Sequence, residues 1–342
     1  MKSRISTEEC FIDHLIGQRP CKKGFLDQVD KLIDWKPMAK FLDKHCKKQK
    51  SVDGRTPYPP LPLFKMLLIQ RWYGLSDPGL EEAVNDRLSF LRFSGFSFES
   101  SIPDETTICR FRNDLARKGL DRKLLDQINR QLEKAGLLVR KGAAVDASLV
   151  SSARRPRKVI DVMVEDRREG QASPQVKHEV TYSDDREATW VRKGKRPHYG
   201  YKIHMGTDVK HGFILGGHIT SAHVADTSEF EDLVDELNLD EEAVVLADKG
   251  YASRKNREIL KQRGFLDGIM SKAARNHPLS HGAKVRNKLI SKLRYIVEQG
   301  FGTLKRRYRF DRARYVGRLK TDLEFHLTAM AFNIKKATAM LA

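Results

Sequence analysis

Three acidic residues in this 342-residue chain stand where a carboxylate is expensive to keep or useful to place. Asp146 interrupts an otherwise apolar stretch, Ala143 to Val150 (AAVDASLV), and Asp248 directly follows Val244-Val245-Leu246-Ala247. Both segments have the composition of buried strands. An uncompensated carboxylate there costs on the order of several kcal/mol, so each needs a cation or hydrogen-bond donors. Oxygen donors of this kind suit a hard cation such as Mg²⁺. Two acids joined by a third from a nearby helix suit a pair of ions about 3.5–4 Å apart, one activating water and one stabilising a leaving oxygen. Glu298 is the candidate third ligand. Arg294, Glu298 and Lys305 are separated by four and seven residues and fall on roughly one stripe of a helix. On that stripe the carboxylate would hold metal while Arg294 and Lys305 touch phosphate. The plainer readings are a helix cap or salt bridge for each Asp and a surface ion pair for Glu298 with Arg294.

For Asp146 and Asp248 to share an ion, their strands must be parallel neighbours whose carboxyl ends meet at one sheet edge, where open α/β sheets place their sites. The surrounding pattern supplies such a sheet. His198 to Asp208 alternates with Tyr199, Tyr201, Ile203 and Met205 on one face, and Gly212 to Thr220 reads as its hairpin partner across Lys210-His211-Gly212. A helix from about Thr227 to Leu237, the strand Ala243 to Ala247, a helix over Ser253 to Arg263 and a strand over Phe265 to Met270 follow. Two helices, Lys284 to Arg306 and Asp322 to Met340, end the chain. The order β-β-β-α-β-α-β-α predicts an α/β domain of ribonuclease-H-like fold over residues 141–342, a mixed five-stranded sheet with flanking helices. Ser151 to Pro197 is charged and lacks a sustained period, and is read as an insertion that is flexible or bound to a partner.

Residues 1–140 read as an all-α domain preceding the sheet. Leu63, Met66, Leu67 and Ile69, then Leu80, Val84, Leu88 and Leu91, recur at helical spacing. A third helix begins at Asp104 as N-cap, buries Ile108, Phe111 and Leu115, and presents Arg110, Asn113 and Arg117. This is the layout of a helix-turn-helix recognition helix, and equally that of an amphipathic helix with a basic solvated face.

Charge points to the partner. Lys+Arg number 64 against 45 Asp+Glu, a net +19, which favours polyanions. Between Lys272 and Lys320 there are fifteen Lys/Arg and two acids, Glu298 and Asp311, so that segment by itself resembles a phosphate-binding surface. No apolar run is long enough to span a bilayer, and Glu8, Glu9, Asp13 and His14 fall where a signal peptide needs an apolar stretch, so a cytoplasmic protein is expected. Cys10, Cys21, Cys46 and Cys109 lack paired spacing; a zinc site from Cys10, His14, Cys21 and Cys46 is the lesser reading beside reduced thiols.

From about Pro59 to the C-terminus the chain resembles DDE transposases of the bacterial insertion-sequence-five family. The likeness rests on Val145-Asp146-Ala147, on Ala247-Asp248-Lys249-Gly250-Tyr251, and on Arg294-x3-Glu298-x6-Lys305. In the helical part it rests on Leu63 to Asp77, on Asp86 to Phe90, and on Pro103-Asp104-Glu105-Thr106-Thr107 with Phe111-Arg112. The stretch Asp185, Ala188, Trp190, Lys193-Gly194 and Tyr199-Gly200-Tyr201-Lys202-x-His204 also resembles the family's. Ser291 stands where the family often has a Tyr.

The resemblance implies Mg²⁺-dependent cleavage at insertion-sequence ends and strand transfer into target DNA, with Asp146, Asp248 and Glu298 as catalytic metal ligands for two ions and Mn²⁺ as a substitute. Arg110, Arg112, Lys202, Arg294, Lys305, Arg306 and Arg307 are the expected DNA contacts. Double-stranded DNA, as terminal inverted repeats and as target, is the expected partner of a homodimer or higher assembly associated with the bacterial nucleoid. Helical residues 1–140 would bind DNA and dimerise. The rival readings are a ribonuclease-H-like nuclease or resolvase that cuts without joining, and a non-catalytic DNA-binding relative.

Overall fold

The computed structural model describes residues 24–46, 57–154, 158–164, 176–182 and 185–341. Seven helices come first: α1 (Phe25–Leu32), α2 (Trp35–Cys46), α3 (Pro60–Tyr73), α4 (Asp77–Asp86), α5 (Leu88–Ser94), α6 (Glu105–Arg117) and α7 (Leu120–Lys134). Their ends follow local chemistry. Ser76 Oγ accepts from Gly79 N at the start of α4 and Asp104 Oδ1 from Thr107 N at the start of α6, while Gly74 (φ 67°) closes α3 in the left-handed region that an L side chain resists. α3 is buried on almost every side, from Leu63 through Arg71, which marks it as the axis of the helical part.

The sheet comprises β1 (Gly142–Ser151), β4 (Thr189–Lys193), β5 (Arg196–Asp208), β6 (Ile214–Ser221), β7 (Val244–Ala247) and β8 (Leu266–Ile269). β1 lies between β5, antiparallel to it, and β7, parallel to it; β6 pairs antiparallel with β5, and β8 parallel with β7. The central order β6-β5-β1-β7-β8, with α8 (Phe230–Glu236) and α9 (Arg254–Gln262) as the connections through β7 to β8, is the ribonuclease-H-like arrangement expected. Asp208 makes the β5–β6 turn, its carboxylate accepting from the backbone N–H groups of Lys210, His211, Gly212 and Phe213.

The described residues of the charged insertion form strands that its sequence pattern does not announce; 155–157, 165–175 and 183–184 lie outside the described residues. β2 (Lys158–Val164) and β3 (Val176–Tyr182) pair as an antiparallel ribbon, and β4 adds to the main sheet along the first residues of β5. Short two-stranded and edge pairings bury no continuous face, so they leave little alternation to read. Asp185, fully buried, fastens this region down: its carboxylate accepts from the hydroxyls of Ser152 and Tyr201 and, at 3.3 Å, from Gly317 N, while its carbonyl accepts from Tyr199.

Two long helices complete the chain. α10 (His281–Tyr308) crosses the sheet against β1, β5 and β7, and Gly300, whose added Cβ would meet Met205 Cε at 3.2 Å, permits the close approach. α11 (Arg318–Leu341) packs on β6 and α7 on one side and on α1, α3 and α6 on the other. It also covers the outer edge of β6, whose free backbone groups would otherwise be buried unpaired. Asn333 and Asn129 bond Ile214 and Leu215, Asp322 accepts from Ile219 N, and His326 bonds Gly217 O. Arg71 of α3 reaches Glu324 of α11 at 2.8 Å, both side chains 3% exposed, and Trp72 Nε1 donates to Ala331 O. The helical part and the sheet are thus packed on one shared helix. No helix among the described residues is long and apolar enough to cross a membrane.

Candidate active site

The parallel β1–β7 register sets the position of the two aspartates. Ala144 lies opposite Leu246, and Asp146 and Asp248 each follow by two residues: Asp146 is still within β1, paired with Met205 of β5, while Asp248 stands just past the carboxyl end of β7. Asp146 Oδ1 accepts from Ala147 N at 2.9 Å. Asp248 caps the short 3₁₀ turn Lys249–Tyr251, accepting from Gly250 N at 2.7 Å. Glu298 approaches from α10. One nitrogen, Arg294 Nη2, stands 2.9 Å from Asp146 Oδ2 and 3.5 Å from Glu298 Oε1. The exposures differ: Asp146 is 22% exposed at its side chain and Glu298 53%, so the helix acid stands at the mouth of the site and the strand acid at its floor.

Burial pushes the Asp146 carboxyl up against the opposing effect of Arg294, and the nearby Asp248 adds to the rise. Tyr251, 1% exposed, has a hydroxyl without a hydrogen-bond partner; burial pushes it well above its usual range, and Asp226, Asp146 and Asp248 all act in the same direction. Arg294 Nε is likewise buried without a partner. Orphaned buried polar atoms are few in folded proteins and call for an explanation. Here they border an all-oxygen set of acids, the donor chemistry of a hard divalent cation. The residues present therefore fit such an ion, which would relieve the charge on Asp146.

The set is not drawn tight. Among the described residues, the single group of three or more potential ligands with atoms all within 4.8 Å of one another is Asp121, Asp322 and His326, elsewhere in the fold. That group is a buried ion pair. His326 gives Nδ1 to Asp121 at 2.6 Å and Nε2 to Gly217 O at 2.9 Å, and although burial opposes its charge, Asp322 and Asp121 push it up to about 9. An imidazolium donating from both nitrogens has no lone pair for a metal. Cys46 and Cys109 are free thiols; Cys10, His14 and Cys21 lie outside the described residues.

The basic residues divide in two. Arg110, Arg306 and Arg307 are exposed. Arg112 is turned inward instead, 4% exposed, donating to Asp77 at 2.7 Å and lying over the Tyr315 ring. Lys202 donates to Val224 O and pairs with Asp226 at 2.7 Å. Lys305 donates to Ser148 Oγ and Leu149 O, and Arg294 to Asp146. These four cations, expected from the sequence as DNA contacts, each have a protein partner here. Arg294 and Lys305 lie on the face of α10 that packs on β1, and Arg112 sits on the buried stripe of α6.

Sequence reasoning missed Asp226 and treated Tyr251 only as part of a motif. Nothing in the order of residues announces that a loop acid after β6 comes near the Tyr251 hydroxyl. His204 is a core residue: its Nε2 bonds Thr220 Oγ1 at 2.9 Å, its ring stacks on His218, and burial holds it down to about 3. His223 bonds Thr189.

A mixed sheet of this order, closed by a long helix across one face, is a ribonuclease-H-like fold. Residues 138–334 match the transposase DDE domain family, and residues 13–114 match a second transposase domain, DUF772. The chain is 40% identical over 236 residues to the transposase for insertion sequence element IS1106 of Neisseria meningitidis serogroup B, covering 68% of this chain and 78% of that protein. It belongs to the DDE transposases of insertion sequences. Among solved structures, the Mos1 transposase paired-end complex with left transposon end aligns at 10% identity over 80% of this chain and 83% of that one. The TM-score is 0.22, too low to argue from.

Proposed function

We propose that this transposase cuts insertion-sequence ends and transfers them to target DNA at a Mg²⁺ centre held by Asp146, Asp248 and Glu298. The observation that carries the reading is the matching position of Asp146 on β1 and Asp248 just past the end of β7, each two residues beyond the Ala144–Leu246 pair, with Glu298 on the same guanidinium as Asp146. When bound, two divalent ions, Mg²⁺ or Mn²⁺, supply charge that stabilises the attacking and leaving oxygens of an in-line displacement at phosphorus. Asp146, Asp248 and Glu298 would hold the ions through their carboxylate oxygens.

The chain's own residues do the positioning. Arg294 holds the carboxylates of Asp146 and Glu298 to one nitrogen, so that the floor and the mouth of the site keep a fixed relation. Lys305 fixes β1 beyond Asp146 through Ser148 and Leu149. Tyr251 closes the site beneath Asp248 and excludes water with its ring, which packs on Phe230. Arg110, Arg306 and Arg307 remain for DNA phosphates. Residues 1–140 would contribute DNA binding and dimerisation, with a helix-turn-helix-like segment ending in α6, and 141–342 the catalytic domain. Membership in the insertion-sequence-five branch rests on the motifs quoted above.

The test is Asp146→Asn on a duplex bearing the element end in Mg²⁺. Cleavage should fall below detection; an unchanged rate would sink the assignment. Joined products from the unmutated protein separate a transposase from a nuclease that cuts without joining.

A further inference from the structure

α10 and α11 enclose a cleft of about 530 Å³ that no part of the carboxylate site uses. Its walls carry Arg306, Arg307, Lys335 and Lys336, with Tyr295 and Tyr308 between them. No acid lines it. Among the described residues none of these four cations has a carboxylate within ion-pair distance, whereas Arg294 and Lys202 nearby both do. Lys335 and Lys336 are half-buried, resting on the rings of Phe25 and of Phe213 and Phe332, and burial lowers both ammonium groups, with Arg307 adding to the effect on Lys335 and Asp208 opposing it on Lys336. Like charges gathered in a partly dry cleft repel one another, and a polyanion relieves that repulsion.

Position narrows the class of anion. Tyr295 and Gln299 each follow a member of the carboxylate stripe, Arg294 and Glu298, by one residue, which on a helix is a rotation of about 100°. The cleft therefore opens on the next stripe of the same helix, within about one helix diameter, roughly 10 Å, of Glu298. At this size it has the dimensions of a small-ligand pocket, suited to a nucleotide strand rather than to a duplex. Tyr295 is 58% exposed at its rim, a free aromatic face beside a row of cations. Aromatic platforms interleaved with basic groups are how proteins hold unpaired strands regardless of sequence.

We infer that this cleft holds the unpaired DNA strand next to the cleavage point, its phosphates on Arg306, Arg307, Lys335 and Lys336 and a base stacked on Tyr295. The inference rests on the DNA-cleaving function for the identity of the strand, but binding alone tests it. Fluorescence anisotropy on the full chain in EDTA would compare a blunt duplex with the same duplex carrying a single-stranded overhang. The unmutated protein should bind the overhang about tenfold more tightly, with a steeper salt dependence. Tyr295→Ala, and separately Lys335→Gln with Lys336→Gln, should abolish that preference while leaving blunt-duplex binding alone, and Tyr295→Phe should keep it. Arg306→Gln with Arg307→Gln, at exposed positions on the other wall, should also abolish the preference and, because both residues serve duplex phosphates too, weaken blunt-duplex binding with it. No overhang preference in the unmutated protein, or preference surviving in all three variants, overturns the inference. Asp146→Asn separates the two claims: it should keep the preference and lose cleavage.

Discussion

Arg294 Nη2 lies 2.9 Å from Asp146 Oδ2, joining the closing helix α10 to the central strand β1 across 148 residues of sequence. The same nitrogen stands 3.5 Å from Glu298, so this one guanidinium is the only direct link between the two acids among the described residues. Replacing it should loosen both. Arg294→Lys keeps a positive charge but not a planar fork of donors, so it should restore little. Groups that orient metal ligands in this way are worth about 10 to 100-fold in metal affinity or activity. Isothermal titration of Mg²⁺ against Arg294→Ala and Arg294→Lys checks this, and unchanged affinity in both would remove Arg294 from the site.

A buried carboxylate kept for function costs stability. Asp146 is mostly buried, and in metal-free buffer its charge is offset by Arg294 alone among the cations. Because Arg294 keeps Glu298 as an acid partner at 3.5 Å, Asp146→Asn strands no charge and should raise the melting temperature without metal, by about 2–4 °C if it gains about 1 kcal/mol. Mg²⁺ should then stabilise the unmutated protein and leave the variant unmoved. Calorimetry with and without Mg²⁺ decides it; a variant that melts lower in EDTA contradicts the account.

Two buried histidines bend the stability curve in opposite directions. His326 is raised from its ordinary 6.5 to about 9, so its contribution is complete below pH 6.5 and is lost as pH climbs through 9, roughly 3 kcal/mol in all. His218, raised by Glu236 and Glu229 against the opposing effect of burial, acts in the same sense. His204 is held down to about 3, so the folded state refuses a proton that the unfolded chain takes, and stability falls as pH drops below 6.5. Urea midpoints should thus peak near neutrality. His326→Gln should flatten part of the alkaline limb and His204→Asn the acid limb.

Glu324 and Arg71, each 3% exposed, tie α11 to α3. Removing one partner strands a charge in the core, at a cost of about 3–5 kcal/mol. Glu324→Ala should show that loss in urea unfolding. The double change Arg71→Met with Glu324→Leu should be milder, because neither charge remains; equal losses would argue against an ion-pair role.

Much of the scaffold was legible because burial writes itself into composition. Asp146 and Asp248 stood out as acids inside apolar runs, and β5 and β6 followed from alternation and the turn at Lys210 to Gly212. The β2–β3 ribbon and β4 were not legible, since their pairing is local and one-sided. Nor was the inward turn of Arg112, Lys202, Arg294 and Lys305. A basic side chain reads the same whether it faces a phosphate or a carbonyl, and only the packing of α10 on β1 and of α6 against Tyr315 tells them apart.

Sequence by itself determined the kinds of group available: two carboxylates in or just after apolar strands, a helix carboxylate with basic neighbours at fixed spacing, and a large excess of positive charge. Such facts are local, set by what each segment can bury and how its residues repeat. The tertiary structure decided convergence, which depends on strand register and helix crossing over separations of more than a hundred residues. It put Asp146 beside Arg294, brought Tyr251 within the influence of Asp226, and left one basic cleft with no acid in its lining.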